Sequence, residues 1–289
     1  MVPGQRIGAG YSWTMMNGLR ARATIGLAGA ATIALAARRA GALSTGGTLA
    51  ATAVGGATVT GSGIRGGTML VAFFVSSTLL GRLPAITRLE QQRGRKRDAV
   101  QVMANGGVAA GLALASSLTQ GWTCSLLTTG FGGAVATATA DTWATEIGSR
   151  SRTRPRSIVT MRPIAAGASG GVTVAGLAAS AAGAALIAGM ASPPFACTSR
   201  HPPSRAVPIA LGGFSGALVD SVLGATVQQV RFCDACAVET EQRLHRCGAL
   251  TRPTRGAPWC DNDTVNGLAT AAGAATAILV EFATSIRRQ

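Results

Sequence analysis

The chain has 289 residues, of which 47% are hydrophobic, 13% charged and 4% aromatic, and its formal net charge is +15. An average soluble domain carries about 25% charged residues, so this scarcity of charge, with a mean hydropathy of +0.33, excludes an ordinary soluble surface and points to a membrane protein. The positive charge is almost all arginine, set between apolar segments rather than along one face, and a single tyrosine leaves little for base stacking, which excludes a nucleic-acid binder.

A helix needs about 20 mostly apolar residues to cross the hydrocarbon. In chain order the sequence offers eight such segments: 23–37, 44–61, 66–81, 104–123, 126–147, 165–191, 207–226 and 265–283. The first, short and preceded by arginines, resembles a signal-peptide core. "RRAGA" follows it instead of a clean cleavage site, so it reads as a retained helix. The second, "STGGTLAATAVGGATVTG", is too rich in Gly and Thr to face lipid all round. The segments lack the charged face of a soluble bundle helix, and their small residues allow close helix approach. The expectation is an all-α, polytopic bundle of about seven to eight spans. Residues 1–65 form loosely defined N-terminal spans, and 66–289 form the membrane core, with a Cys-rich loop at 227–264.

If 38–43, 82–103, 148–163 and 227–264 share one side, that side holds 18 of the 26 Lys+Arg. The positive-inside rule makes it cytoplasmic, with both termini outside. Usage heavy in Arg, Ala and Gly fits a bacterial cytoplasmic membrane.

On that side the distinctive polar residues gather. "ADTWATEIG" closes the fifth segment, "VDSVLGATVQ" closes the seventh, and "DNDTVN" opens the eighth. Between them stand "RGRKRDAVQVMANG" and "GASGGVT". Carboxylates at a membrane edge are costly and point to function. Mg²⁺ takes one or two carboxylates plus phosphate oxygens, and arginine offers phosphate a planar fork. Each piece also has a plain structural reading. Asp141 and Glu146, five apart, can solvate a helix end, with Trp143 as an interface anchor. Asp220 can pair with an arginine, and Asp261–Asn262–Asp263 can cap a helix. "GASGGVT" (Ser169, Gly170, Gly171) is either a phosphate cradle or ordinary glycine packing. Arg93, Arg95, Lys96 and Arg97 are either phosphate ligands or a topology signal touching anionic lipid.

Four of the six cysteines stand in the last long loop or at its end, where "CDACAVETEQRLHRCG" also brings a histidine. Cys233 and Cys236 have zinc-knuckle spacing, and with His245 and Cys247 they form a soft donor set suited to tetrahedral Zn²⁺, with Cys260 as a substitute for His245. A Cys233–Cys236 redox pair and a metal-free loop are the alternatives. Cys124 and Cys197 read as isolated.

These motifs, in this order from about residue 66 to 280, resemble a family of polytopic membrane proteins. Its members include transmembrane protein 19 and the plant chloroplast phytyl-phosphate kinase. "RGRKRDAVQVMANG" is similar to the family's basic segment, with Arg93 where Lys is usual. "ADTWATEIG" is followed, as in the family, by "RPRSIVT". "GASGGVT" carries Ala168 and Ser169 where Thr-Asn is common. The resemblance implies transfer of a nucleotide γ-phosphoryl group, from CTP or ATP with Mg²⁺, to a prenyl monophosphate in the membrane. Under it, Asp141, Asp220 and Asp261 or Asp263 would hold Mg²⁺, with Glu146 assisting. Arg93, Arg95, Lys96, Arg97 and Arg156 would neutralise phosphates. Asn105, Asn262 and Asn266 would fix positions, and Ser169, Gly170, Gly171 and Gln228 would complete the phosphate and nucleotide site. A transporter of a phosphate-bearing or lipid substrate, and a zinc-bearing scaffold, are the rival readings.

Overall fold

A computed structural model describes residues 9–83, 96–191, 205–245 and 247–286. Seven helices appear in it: α1 (Ala9–Arg39), α2 (Thr45–Gly81), α3 (Ala99–Ser117), α4 (Gly121–Gly148), α5 (Val174–Met190), α6 (Ala206–Thr226) and α7 (Asn262–Ile286). Five of them, α1, α2, α3, α6 and α7, are long and apolar enough to cross a membrane. Leu35, Leu49, Leu211, Leu279 and Phe282 stand exposed on the helices, the arrangement expected where lipid replaces water as the solvent.

The 37 residues of α2 would reach about 55 Å if straight, nearly twice the hydrocarbon thickness. They are not straight. Gly63, at φ 69° and ψ −170°, breaks the helix in a conformation essentially confined to glycine. The two arms fold back on each other: Ala51 in the first and Phe74 in the second pack on one cluster. Arg82, just past the second arm, donates to the carbonyl of Ala40, just before the first, at 3.1 Å. The segments 44–61 and 66–81 are therefore the two arms of one hairpin, so the seven helices of the described residues comprise eight helical arms.

α4 is the central mast. From Thr128 to Ala140 every residue is buried, which lets its sequence be Thr-, Ala- and Gly-rich instead of Leu-rich. Its neighbours approach to backbone distance: a Cβ added to Gly273 on α7 would stand 1.9 Å from Thr137 Oγ1 and 2.8 Å from the Gly212 carbonyl on α6. Phe131, Met69, Ile187 and Ile209 fill the core where small residues leave room.

On the face where α2, α4 and α6 end and α3, α5 and α7 begin, two short sheets form. β1 (Arg156–Ser157) pairs antiparallel with β2 (Gly171–Val172). β3 (Val230–Cys233) lies between β4 (Val238–Thr240) and β5 (Arg252–Arg255), antiparallel to both.

Candidate functional site

That face encloses a cavity of about 1190 Å³, bounded by the ends of all the helices there and by β4. Asp141 and Asp220 meet across α4 and α6 in a side-chain hydrogen bond. Two acidic groups in contact need a shared proton or a cation between them. The other oxygen of Asp220, Oδ2, is buried without a hydrogen-bond partner, as is Asp263 Oδ1 on the first turn of α7. Asn105, Asn262 and Asn266 line the same space, together with Ser169, Gly170, Gly171 and Gln228.

Arg97 closes one side of the cavity. The parallel bridge between Leu43 and Arg97 fixes it, with the Arg97 amide donating to the Ala42 carbonyl at 3.0 Å and the Ser44 amide donating to the Arg97 carbonyl at 3.0 Å. Its guanidinium lies over the rings of Phe73 and Phe74, 6.0 and 5.5 Å from their centroids. Burial pushes that guanidinium below its ordinary value, and the charge of Glu146 offsets part of the effect. A desolvated cation beside open volume is prepared to take an anion. Asp98, next in sequence, caps α3 in a reciprocal capping box with Gln101, and this fixes where the helix begins.

The remaining sequence candidates divide. Glu146 lines the cavity but is held by Arg150, with Oε2 at 3.0 Å. Arg150 in turn ties the end of α4 to the Leu80 and Leu83 carbonyls. Asp261 caps α7: its Oδ1 accepts from the Thr264 amide at 2.9 Å and the Thr264 hydroxyl at 2.8 Å. The capping alternative thus describes Asp261, while its neighbour Asp263 lines the cavity. Arg156 donates to the Met161 carbonyl at 2.9 Å and does not line the cavity, nor does exposed Lys96. Arg93 and Arg95 lie outside the described residues. Trp143 is half-buried, and its indole N–H donates to Ser76 Oγ at 3.1 Å, which joins α4 to α2. Gly170 has φ +80°, and a Cβ on it would meet Ala225 at 2.4 Å. Glycine there serves packing of the loop on α6 as well as lining the cavity.

Sequence reasoning missed Glu241 and Gln101, both on the cavity wall. Glu241 accepts from Gln228 Nε2 at 2.7 Å and from Ser169 Oγ at 3.1 Å, joining three separate segments. Nothing in its local sequence sets Glu241 apart from the charged residues around it.

Beside the cavity the Cys-rich loop forms a cluster. The ligand atoms of Cys233, Cys236, His245 and Cys247 all lie within 4.8 Å of one another, so they could hold a metal ion. Cys233 and Cys247 sulfurs are 3.6 Å apart, and His245 Nδ1 is 3.2 Å from Cys247 Sγ. The Cys247 thiol is lowered to about 6, chiefly by its bond to His245 and then by the Ala249 amide, while its bond to Cys247 is the main cause that raises the Cys236 thiol. The residue after each half of the set, Ala237 at φ 54° and Gly248 at φ 84°, is left-handed and turns the chain around the sulfurs. Cys260 is buried and free, away from this cluster. Cys124, which read as isolated, is disulfide-bonded at the opposite end of the bundle.

Residues 28–274 match the family described as integral membrane protein DUF92. The chain belongs to that family. Its match begins inside α1, so the family unit takes in the α2 hairpin as well as the core that follows. "Protein PGR" of Arabidopsis thaliana is 30% identical to it over 247 residues, covering 78% of this chain and 82% of that protein. No solved structure matches.

Proposed function

We propose that this family member is a membrane-embedded phosphotransferase that moves a nucleotide γ-phosphoryl group onto an isoprenyl monophosphate, giving the diphosphate. The observation that carries this reading is that Asp141, Asp220 and Asp263, from three helices, line one cavity together with Arg97. The orphan oxygens of Asp220 and Asp263 are hard donors that fit Mg²⁺. When bound there, the ion would neutralise charge on the transferring phosphoryl group. The chain's own groups do the positioning. Arg97 binds the acceptor phosphate, Asn105, Asn262 and Asn266 orient its oxygens, and Glu241 holds Ser169 and the glycine loop against the donor. Transfer of this kind needs orientation and charge neutralisation more than covalent help.

The depth of the acids favours chemistry at the interface over carriage across the midplane. Asp141 lies seven residues before the end of α4 and Asp220 six before the end of α6, about 10 Å from the helix ends. For orientation, we place the cavity on the cytoplasmic side. The arginine bias supports this. So does the thiol chemistry, since Cys233, Cys236, Cys247 and Cys260 are free on the cavity side while Cys124 is disulfide-bonded on the other. The Cys/His donor set fits Zn²⁺ in a structural role.

The test uses purified protein in detergent with Mg²⁺, ATP or CTP, and phytyl, geranylgeranyl or farnesyl monophosphate, read by mass spectrometry for the diphosphate. Product is expected with wild type and lost by about a thousandfold in Asp141→Asn and Asp220→Asn, with unchanged melting temperatures. No product with any pairing from folded protein would sink the reading.

A further inference from the structure

A second cavity, of about 350 Å³, runs between α1, the two arms of α2 and α3. That volume is within the range of ligand pockets, roughly 300–1,000 Å³. Its wall is apolar or small from end to end, Thr68 and Thr142 aside, except at one mouth, where Arg97, Gln101 and Asn105 stand. The same three residues line the acidic cavity. The two cavities therefore share a boundary at Arg97, and the rings of Phe73 and Phe74 beneath its guanidinium form the step from polar to apolar. Ala37 lines the groove near the mouth and Ile25 lines its far end. These are twelve residues apart on one helix, a depth of about 18 Å.

We propose that this groove holds the apolar tail of an anionic lipid whose head group is bound at Arg97, and that its depth limits the tail the protein accepts. The proposal rests on the phosphate-lipid reading above for the nature of the head group. Charge complementarity at the shared boundary and a wall beyond it that carries no charge and only the hydroxyls of Thr68 and Thr142 select an amphiphile over a soluble anion or a second protein chain. Buried methylene groups supply affinity in proportion to their number, so binding strengthens with tail length until the chain reaches Ile25. An obstruction partway down shortens the tail that fits.

Gly29 supplies that obstruction. It lines the groove eight residues below Ala37, and a Cβ built on it meets nothing within 4 Å. The first atom of a side chain at this position therefore enters open space, and Gly29→Leu extends a branched chain from the groove wall. The experiment measures binding by calorimetry in detergent, using inorganic phosphate and geranyl, farnesyl and geranylgeranyl monophosphates as probes. Wild type should bind each longer tail more tightly. Gly29→Leu should lose about tenfold for geranylgeranyl monophosphate and progressively less for farnesyl and geranyl. Val71→Phe, on the opposing wall, provides a second obstruction if the first variant melts early. Equal affinity for all tails, or an equal loss at every length, would overturn the groove assignment and leave its occupant as bulk lipid. Diphosphate is assayed in the same samples. Tail-graded binding without product removes the phosphotransferase and keeps the groove, whereas product insensitive to tail length does the reverse.

Discussion

Arg205 and Glu281 carry opposite charges into the interior on the side away from the cavity, where they are 3% and 2% exposed. Arg205 donates to Ser125 Oγ at 3.0 Å. Burial pushes its guanidinium down, and the Glu281 charge offsets that in part. The start of α6 is thereby tied to α4, with the Glu281 charge on α7 nearby. Removing one member of a buried pair strands the other, at about 3–5 kcal/mol. Arg205→Ala should therefore lower the melting temperature in detergent markedly, and the double variant Arg205→Met/Glu281→Leu should recover much of the loss. The sequence showed Arg205 only as a loop arginine, because its partner lies 76 residues later and no spacing rule joins them. Asp141, Asp220, Asn105 and Asn266 were legible as site candidates because each interrupts an apolar run at a segment end. Glu241 was not. It stands in a loop already dense with charge and cysteine, and only the pairing of β3 with β4 shows that it meets Ser169 and Gln228.

At the scale of elements, the α2 hairpin shows what hydropathy can and cannot convey. Two apolar runs, 44–61 and 66–81, were visible as separate segments; the turn between them was hidden among several glycines of the same stretch. Gly63 alone takes the conformation that reverses the chain, and its Cβ position is open space. Gly63→Ala thus meets no steric neighbour and pays only the backbone cost, about 1–3 kcal/mol. A lowered thermal midpoint, with Gly67→Ala as a comparison that clashes with Val59 instead, would separate strain from crowding. β3, β4 and β5 were not expected at all. The Cys-x-x-Cys spacing announced a metal loop, but the strands that present it are only three or four residues long, too short for a period-two pattern to stand out.

For the whole molecule, the cysteine module and the cavity form one assembly, since Glu241 follows β4 directly and reaches Ser169 across the opening. Metal held by Cys233, Cys236, His245 and Cys247 would contribute its binding free energy to folding of this module. Elemental analysis of protein purified without added metal should find about one zinc per chain. Cys233→Ser with Cys247→Ser should abolish it. Hydrogen exchange should then rise across 230–255 while α4 and α7 keep their protection, and product formation should fall through release of Glu241. Protection unchanged across that stretch would show that the module folds without an ion.

The burial of α4 bears on how the protein is made. A segment that inserts alone is chosen by its preference for lipid, and runs of Thr, Ala and Gly have little such preference. α4 has hardly any lipid-facing surface between Cys124 and Ala140, so its place in the bilayer is secured by neighbours, and three of these, α5, α6 and α7, are translated after it. Biogenesis of this chain is therefore a collective event: α4 waits at the translocation site, or near it, until the helices that enclose it have arrived.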